Sequence, residues 1–268
     1  MSKILYLRKI MKVQDIIDAL ERQAPLNIQE GFDNSGLQAG LAQSEVRSVL
    51  VCLDVTEAVV DEALEKGCEL IVSHHPLLFH PLKCLSDRTY QQRCLFKAVK
   101  AGLGIYSSHT SLDNARGGVN FKIAELIGLQ DCSFLSPIEG KDAGSGLIGS
   151  LPQPEDTAVF LQRLKTIFGV HTLRHSAIVV DKVQKIALCG GAGAFLMPQA
   201  QSLGADCFIT GELHYHDYFE AGNLVAVALG HYESEQFTMD LLCARLKAEF
   251  PELEVIKTHT NTNAVISL

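Results

Sequence analysis

The sequence predicts an α/β fold made of two similar, internally duplicated lobes that pack closely. Residues 49–73 form a β-α-β unit, which implies parallel strands joined by a right-handed crossover. A shift of 137 positions, which brings Cys52 onto Cys189, aligns this unit without a gap on residues 185–210. No low-complexity linker separates the two copies.

The other elements follow from hydrophobic periodicity and from the positions of glycine and proline. Helices are predicted at 12–22, 57–66, 89–101, 119–127, 195–203 and 235–250, with another beginning near Pro154. Strands are predicted at 49–53, 69–73, 104–108, 147–151, 185–189, 206–210 and 224–229, with a further pair around 171–180. We expect residues 1–130 to form the first lobe, 131–180 a connecting region and 181–268 the second lobe. Residues 1–10 are interpreted as a flexible extension or a misassigned start.

Composition indicates an ordinary globular protein and excludes several classes of function. Of 268 residues, 47% are hydrophobic and 20% are charged. The net charge of −8 argues against a general nucleic-acid or anionic-membrane surface. The eight cysteines form no Cys-x-x-Cys pair, and no export signal or transmembrane helix is predicted, which indicates a cytoplasmic protein.

Two adjacent histidines, His74 and His75, follow the predicted strand that ends at Ser73. Pro76 comes next and ends a regular strand. The two imidazoles therefore belong at the carboxyl end of a parallel strand, where open α/β sheets bind ligands. Adjacent residues of an extended chain point to opposite sides, so we expect each histidine to contact a different ion of a two-metal site. Capping or loop histidines are the alternative interpretation.

Each half of the chain also has a histidine with a carboxylate four positions later. His109 precedes Asp113, and His231 precedes Glu235, each at the end of a predicted strand. Imidazoles and carboxylates are the ligands that zinc, iron and manganese take. A carboxylate can bridge two ions, which makes Glu235 or Asp113 the candidate bridge of a hydrolytic two-metal site. One such pair occurs by chance in many proteins, but two equivalent pairs beside adjacent histidines favour metal binding.

Three other segments have competing interpretations. Asp33 and Asn34 are favoured as simple turn formers. The segment from Thr210 to Asp217 contains Glu212, His214 and His216; the histidines are rival ligands, but a pocket-wall or supporting role is favoured. The glycine-rich run 190–193 is a possible phosphate cradle, although tight strand–helix packing is the favoured interpretation.

The chain resembles the GTP cyclohydrolase 1 type 2 homologs, also called NIF-three-like proteins, over nearly all of residues 12–268. The motifs that carry the resemblance are Ala24-Pro25-Leu26, Phe32-Asp33-Asn34-Ser35-Gly36-Leu37, Ser73-His74-His75-Pro76, His109-Thr110-Ser111-Leu112-Asp113, Gly117-Gly118-Val119-Asn120, Gly190-Gly191-Ala192-Gly193, Thr210-Gly211-Glu212, Gly230-His231-Tyr232-Glu233-Ser234-Glu235 and Asn261-Thr262-Asn263. The family often has other residues at Ser35, Ala192 and Ala264, and none of these differences removes a ligand.

The resemblance implies the two-lobed NIF-three-like fold, two divalent metal ions per chain (Zn, Fe or Mn) and assembly as a toroidal homohexamer with the sites facing an internal cavity. The ligands that it implies are His74, His75, Asp113, His231 and Glu235. We expect a metal-dependent hydrolase of a nucleotide-like, phosphorylated or cyclic small molecule, with His109 or Glu212 as a proton shuttle. The alternative is a non-catalytic metal-binding scaffold or adaptor.

Overall fold

The computed structural model of the protein describes residues 11–266, so the segment 1–10 lies outside the described residues. The helices are α1 (Val13–Gln23), α2 (Glu57–Glu65), α3 (Tyr90–Ala101), α4 (Thr110–Asn114), α5 (Val119–Ile127), α6 (Thr157–Phe168), α7 (Met197–Ser202), α8 (His231–Glu235) and α9 (Thr238–Glu249). The strands are β1 (Gly36–Ala39), β2 (Ser48–Cys52), β3 (Leu70–Ser73), β4 (Gly104–Ser107), β5 (Gln130–Pro137), β6 (Gly144–Asp156), β7 (Arg174–His175), β8 (Lys182–Cys189), β9 (Cys207–Thr210), β10 (Val225–Ala228) and β11 (Glu254–Lys257).

The described chain divides into two compact units, and each is discontinuous in sequence. The first unit contains residues 11–22, 34–108 and 242–262. The second contains residues 23–33, 109–241 and 263–266. The segment 131–180, expected to connect two lobes, lies wholly within the second unit.

The first unit is built on a five-stranded sheet in the order β1-β4-β3-β2-β11. The strands β4, β3, β2 and β11 are parallel, and β1 pairs antiparallel with β4 at one edge. All residues of β2, β3 and β4 are buried. Such strands have continuous apolar sequences because helices or other layers cover both faces of the sheet. The side chains of β2, β3, α2 and α3 form the core of this unit.

The second unit is built on a six-stranded sheet in the order β5-β6-β8-β9-β10-β7. The strands β8, β9 and β10 are parallel, and β5, β6 and β7 pair antiparallel at the two sides. The buried core cluster joins β8, β9 and β10 to α7. The mixed α/β class with two sheets is therefore confirmed, and the parallel centre of each sheet is the part that the sequence predicted.

The internal duplication extends to the hydrogen-bonded register of the strands. In the first unit Cys52 is paired with Ser73, and in the second unit Cys189 is paired with Thr210. Both residues of the second pair lie 137 positions after their counterparts in the first pair, which is the shift that aligns the two sequences.

An acidic side chain at the start of the second strand also recurs in each unit. The Glu69 carboxylate accepts from the backbone N–H groups of Arg47 and Ser48. The Asp206 carboxylate accepts from those of Gln184 and Lys185. These equivalent contacts hold the starts of the strands in register in both copies.

Several predicted boundaries were wrong for identifiable reasons. The helix expected near Pro154 begins at Thr157, because the Asp156 carboxylate accepts from the N–H groups of Ala158 and Val159 and caps it. The strand pair expected around 171–180 is only the two-residue β7. The helix expected at 235–250 is α9, which begins at Thr238, and Glu235 instead ends the separate short helix α8. The strands β1, β5 and β11 were not predicted, since their short or partly exposed runs lack a clear period-2 pattern.

No helix within residues 11–266 is long and apolar enough to cross a membrane. All eight cysteines are free thiols, and Cys52, Cys189 and Cys207 are buried in the cores, as expected for small core residues.

Candidate metal centre

The adjacent histidines of the first unit follow β3 at the carboxyl end of the parallel strands. The N–H of His74 donates to Cys52 O (3.2 Å), and the N–H of His75 donates to Leu53 O (2.9 Å). Consecutive N–H groups of an extended strand point in opposite directions, so the chain leaves the extended conformation here. The Ser73 hydroxyl donates to His75 O (2.8 Å) and closes this bend.

The two imidazole rings consequently lie side by side. Their centroids are 4.8 Å apart and their planes are inclined by 43°. The prediction that they point to opposite sides was wrong, because it assumed an extended chain through both residues. His74 is fully buried and His75 is half-buried. The ring directions therefore do not by themselves argue for two separate ions.

Both rings of this pair are anchored through Nδ1. His74 Nδ1 lies 2.9 Å from Ser108 O, and a carbonyl oxygen can only accept, so Nδ1 carries the hydrogen and the lone pair is on Nε2. His75 Nδ1 lies 2.7 Å from Asp54 Oδ1. A carboxylate on one imidazole nitrogen fixes the tautomer and the ring orientation that a metal ion needs at the other nitrogen.

Asp54 is ionised in this arrangement. Burial alone would raise the pKa of its carboxyl group, but the hydrogen bond and charge of His75 and the hydrogen bond from Thr262 outweigh burial and lower that pKa. The Thr262 hydroxyl donates to Asp54 Oδ2 at 2.8 Å. Asp54 was not among the predicted site residues, although its place two positions beyond the end of β2 is a signal that could have indicated it.

The second unit presents His109 at the start of α4 and Asp113 within that helix. His109 Nδ1 lies 2.6 Å from Asp33 Oδ1, and the other Asp33 oxygen accepts from the Thr110 N–H at 3.0 Å. The Asp33 side chain is fully buried. Its interpretation as a simple turn former was therefore incomplete: the N–H of Asp33 does close a turn onto Glu30 O, but its carboxylate orients His109.

The other histidine–carboxylate pair of the second unit lies on the short helix α8. His231 Nε2 is 3.2 Å from Glu235 Oε2, and His231 Nδ1 is 3.0 Å from Glu212 Oε1. Glu235 is buried, whereas Glu212 is exposed. An imidazole nitrogen at this distance from a buried carboxylate oxygen either donates a ring hydrogen to it or shares a cation with it, and both groups are ligands that zinc, iron and manganese take. The donor set therefore fits a divalent ion.

The carboxylates of the second unit also act on the buried thiol of Cys189 at the end of β8. Burial raises the pKa of this thiol, and the negative charges of Asp113 and Glu235 raise it further. Its burial fits a small core residue. Asp113 and Glu235 are thereby two negative groups near the same strand end.

Glycines of the 190–193 run form a wall against these ligands. The N–H of Gly191 donates to Ser234 Oγ (3.0 Å), and that hydroxyl donates to His231 O (2.8 Å). The N–H groups of Gly190 and Gly193 donate to side-chain oxygens of Asn120 and Thr210. Because these three N–H groups have protein acceptors, the run packs tightly as favoured and is not a phosphate cradle.

The described chain contains one group of three or more residues suited to hold a metal ion, His74, His75 and Glu235. One ligand atom from each lies within 4.8 Å of the other two. Asp113 and His231, the other two predicted ligands, do not belong to this group. The rival candidates His214 and His216 are exposed; His214 precedes the 3₁₀ turn Tyr215–Tyr218, and His216 lies within it beside Tyr215.

Gly191 provides a direct test of how Glu235 is positioned. It has a φ of +59°, and an added Cβ would overlap Glu235 Oε1. Gly204 has a similar φ of +69° but open space around it, so Gly204→Ala is a matched control. We expect both alanine variants to lose about 1–2 kcal/mol of stability from the positive φ, and only Gly191→Ala to lose zinc affinity, by about 10-fold or more. Chelator competition measures this affinity; equal affinities in the two variants would contradict the assignment.

Comparisons with known proteins agree with this fold. The family model described as Duf34/NIF3 (NGG1p interacting factor 3) matches residues 11–264. A GTP cyclohydrolase 1 type 2 homolog from Clostridium perfringens is 36% identical, covering 84% of this chain and 87% of that protein. One from Lactococcus lactis is 33% identical, covering 94% and 98%. The crystal structure of a Bacillus cereus protein related to NIF3 has a TM-score of 0.87 at 25% identity, covering 97% and 100%. The chain therefore belongs to the Duf34/NIF3 family.

Proposed function

We propose that the protein binds two divalent metal ions through His74, His75, Asp113, His231 and Glu235 and uses them to hydrolyse a phosphorylated, nucleotide-like or cyclic small molecule. The proximity of ligand atoms from His74, His75 and Glu235 carries this proposal. A ligand set without cysteine favours a reactive site, since structural zinc sites prefer thiolates. When bound, the ions would activate a water molecule and stabilise negative charge on the substrate.

The protein's own residues would prepare the ligands for this chemistry. Oxygen atoms of Ser108 and Asp54 anchor the Nδ1 atoms of His74 and His75, so that Nε2 of each ring is the ligand atom. Glu212 contacts Nδ1 of His231 in the same way. Glu212 thus orients a ligand in addition to its predicted role as a proton shuttle. Glu235 remains the candidate bridge between two ions, because its carboxylate is buried and a buried charge needs a partner of opposite charge.

His109 is the better placed of the two candidate shuttles. Asp33 holds its Nδ1 atom, which leaves Nε2 as the nitrogen that accepts or donates a proton. Asp33 also accepts from Thr110, so the carboxylate is fixed at both oxygens. This arrangement of a buried carboxylate behind an imidazole orients a general acid–base catalyst in many hydrolytic sites.

The metal assignment is tested by elemental analysis of protein purified without chelator or affinity metal. We expect about two metal equivalents per chain and a loss of at least about half of them in His75→Ala and in Glu235→Gln. His171→Ala is the matched control, since His171 is exposed and is not one of the proposed ligands. Wild-type metal content in both ligand variants, with intact folds, would overturn the proposal.

The hydrolytic role is tested on metal-loaded protein with bis(p-nitrophenyl) phosphate and with GTP as probes. We expect His109→Asn to retain the metal and to lower turnover by about 10²–10⁴-fold. Asp33→Asn should lower it less, because the imidazole remains and only its orientation and charge partner change. If metal-loaded wild-type protein consumes neither probe nor a wider set of phosphate esters and cyclic amides, the scaffold or adaptor function is favoured.

We also propose a cytoplasmic location, from the cysteine pattern and the predicted lack of an export signal, and self-association as a homohexamer, from the family resemblance. Multi-angle light scattering of the metal-loaded protein measures the mass directly. A mass of six chains supports the proposal, and a stable monomer contradicts it.

A further inference from the structure

The C-terminal segment 258–262, which follows β11 in the first unit, is held by one buried carboxylate. Glu62 of α2 accepts from the hydroxyls of Thr258 (2.6 Å) and Thr260 (2.7 Å). It also accepts from the backbone N–H groups of His259 (3.2 Å) and Thr260 (3.3 Å), and it pairs with His259 Nδ1 at 2.5 Å. Burial alone would raise the pKa of Glu62, but these hydrogen bonds outweigh it and lower that pKa to about 2.

Two residues beyond this anchor, the segment reaches the carboxylate behind His75. Thr262 is half-buried, and its hydroxyl donates to Asp54 Oδ2 at 2.8 Å. Asp54 Oδ1 faces His75 Nδ1 at 2.7 Å. The torsion that rotates a carboxylate about its Cβ–Cγ bond is soft. A contact at each oxygen therefore fixes the plane of the Asp54 carboxylate, and that plane in turn fixes the orientation of the His75 imidazole ring.

We propose that Thr262 is a positioning residue for His75, whose hydroxyl acts through Asp54 to hold the imidazole in its Nδ1-protonated form with Nε2 as the ligand atom. The consequence for metal binding rests on the proposed function, whereas the effect on the ring tautomer does not. Thr262 belongs to the Asn261-Thr262-Asn263 motif, none of whose residues is among the proposed metal ligands. The proposal therefore gives this motif residue a role.

The Thr262 hydroxyl is not needed to attach the segment to the protein. The five contacts at Glu62 already do so, and the N–H of Thr258 donates to Val51 O at 2.9 Å. The contribution specific to Thr262 is therefore the second contact on Asp54. Removing the hydroxyl should leave stability nearly unchanged and alter the ring that Asp54 orients.

The experiment compares Thr262→Val, which removes the hydroxyl at similar volume, with Thr262→Ser, which keeps it. Thr172→Val is the matched control, since Thr172 is exposed in the second unit. Chelator-stripped full-length protein with ¹⁵N-labelled histidine is measured by NMR, with His75→Ala to assign the signals. Zinc affinity is measured separately by competition with a chromogenic chelator.

We expect Thr262→Val to convert the single Nδ1-protonated signal of His75 into a tautomer mixture and to weaken zinc binding by up to about 10-fold, below the 10–100-fold typical of a direct ligand partner. Thr262→Ser and Thr172→Val should match wild type. A wild-type tautomer in Thr262→Val overturns the inference, as does the same change in Thr262→Ser. If wild-type protein binds no zinc, the proposed function fails. The NMR measurement of the His75 tautomer still tests the role of Thr262, because it needs no metal.

Discussion

The register of the parallel strands is the constraint on which the candidate centre depends. Within the first unit, pairing of Cys52 with Ser73 ends two strands together, and His74 and His75 follow at once. Within the second unit, pairing of Cys189 with Thr210 does the same beside the glycine run and Glu212. A slip of one residue would turn every following side chain to the other face of its sheet. The backbone hydrogen bonds of the strands therefore determine where the ligands lie.

Once the strand ends are placed, oxygen atoms of the protein orient the imidazoles. A backbone carbonyl holds His74, and carboxylates hold His75, His109 and His231, in each case through Nδ1. Because an oxygen atom holds Nδ1 in all four rings, Nε2 is the nitrogen that would bind a metal ion or carry a proton in each of them. It also explains the concentration of acidic side chains around the histidines, because each carboxylate stabilises a hydrogen-bonded or positively charged ring.

The sequence predicted the features that repeat or that have strong periodicity. The helix at 119–127, the parallel strand ends and the 137-residue duplication all follow from apolar patterns and glycine stops. The bend after Ser73 did not, because two consecutive N–H groups bond to the neighbouring strand and turn both rings together. Asp54 and Thr262 were missed for another reason. They are 208 positions apart in sequence and meet only because β11 pairs with β2.

Anomalous diffraction is the most direct test of metal binding through Nε2 of the histidines at this centre. Crystals of protein purified without chelator are measured on both sides of the zinc, iron and manganese absorption edges. Metal binding of this kind predicts anomalous peaks about 2.0–2.2 Å from Nε2 of His74 and His75 and from a carboxylate oxygen of Glu235. Absence of any peak there in crystals grown with an excess of each metal, or ligation through Nδ1, would contradict it.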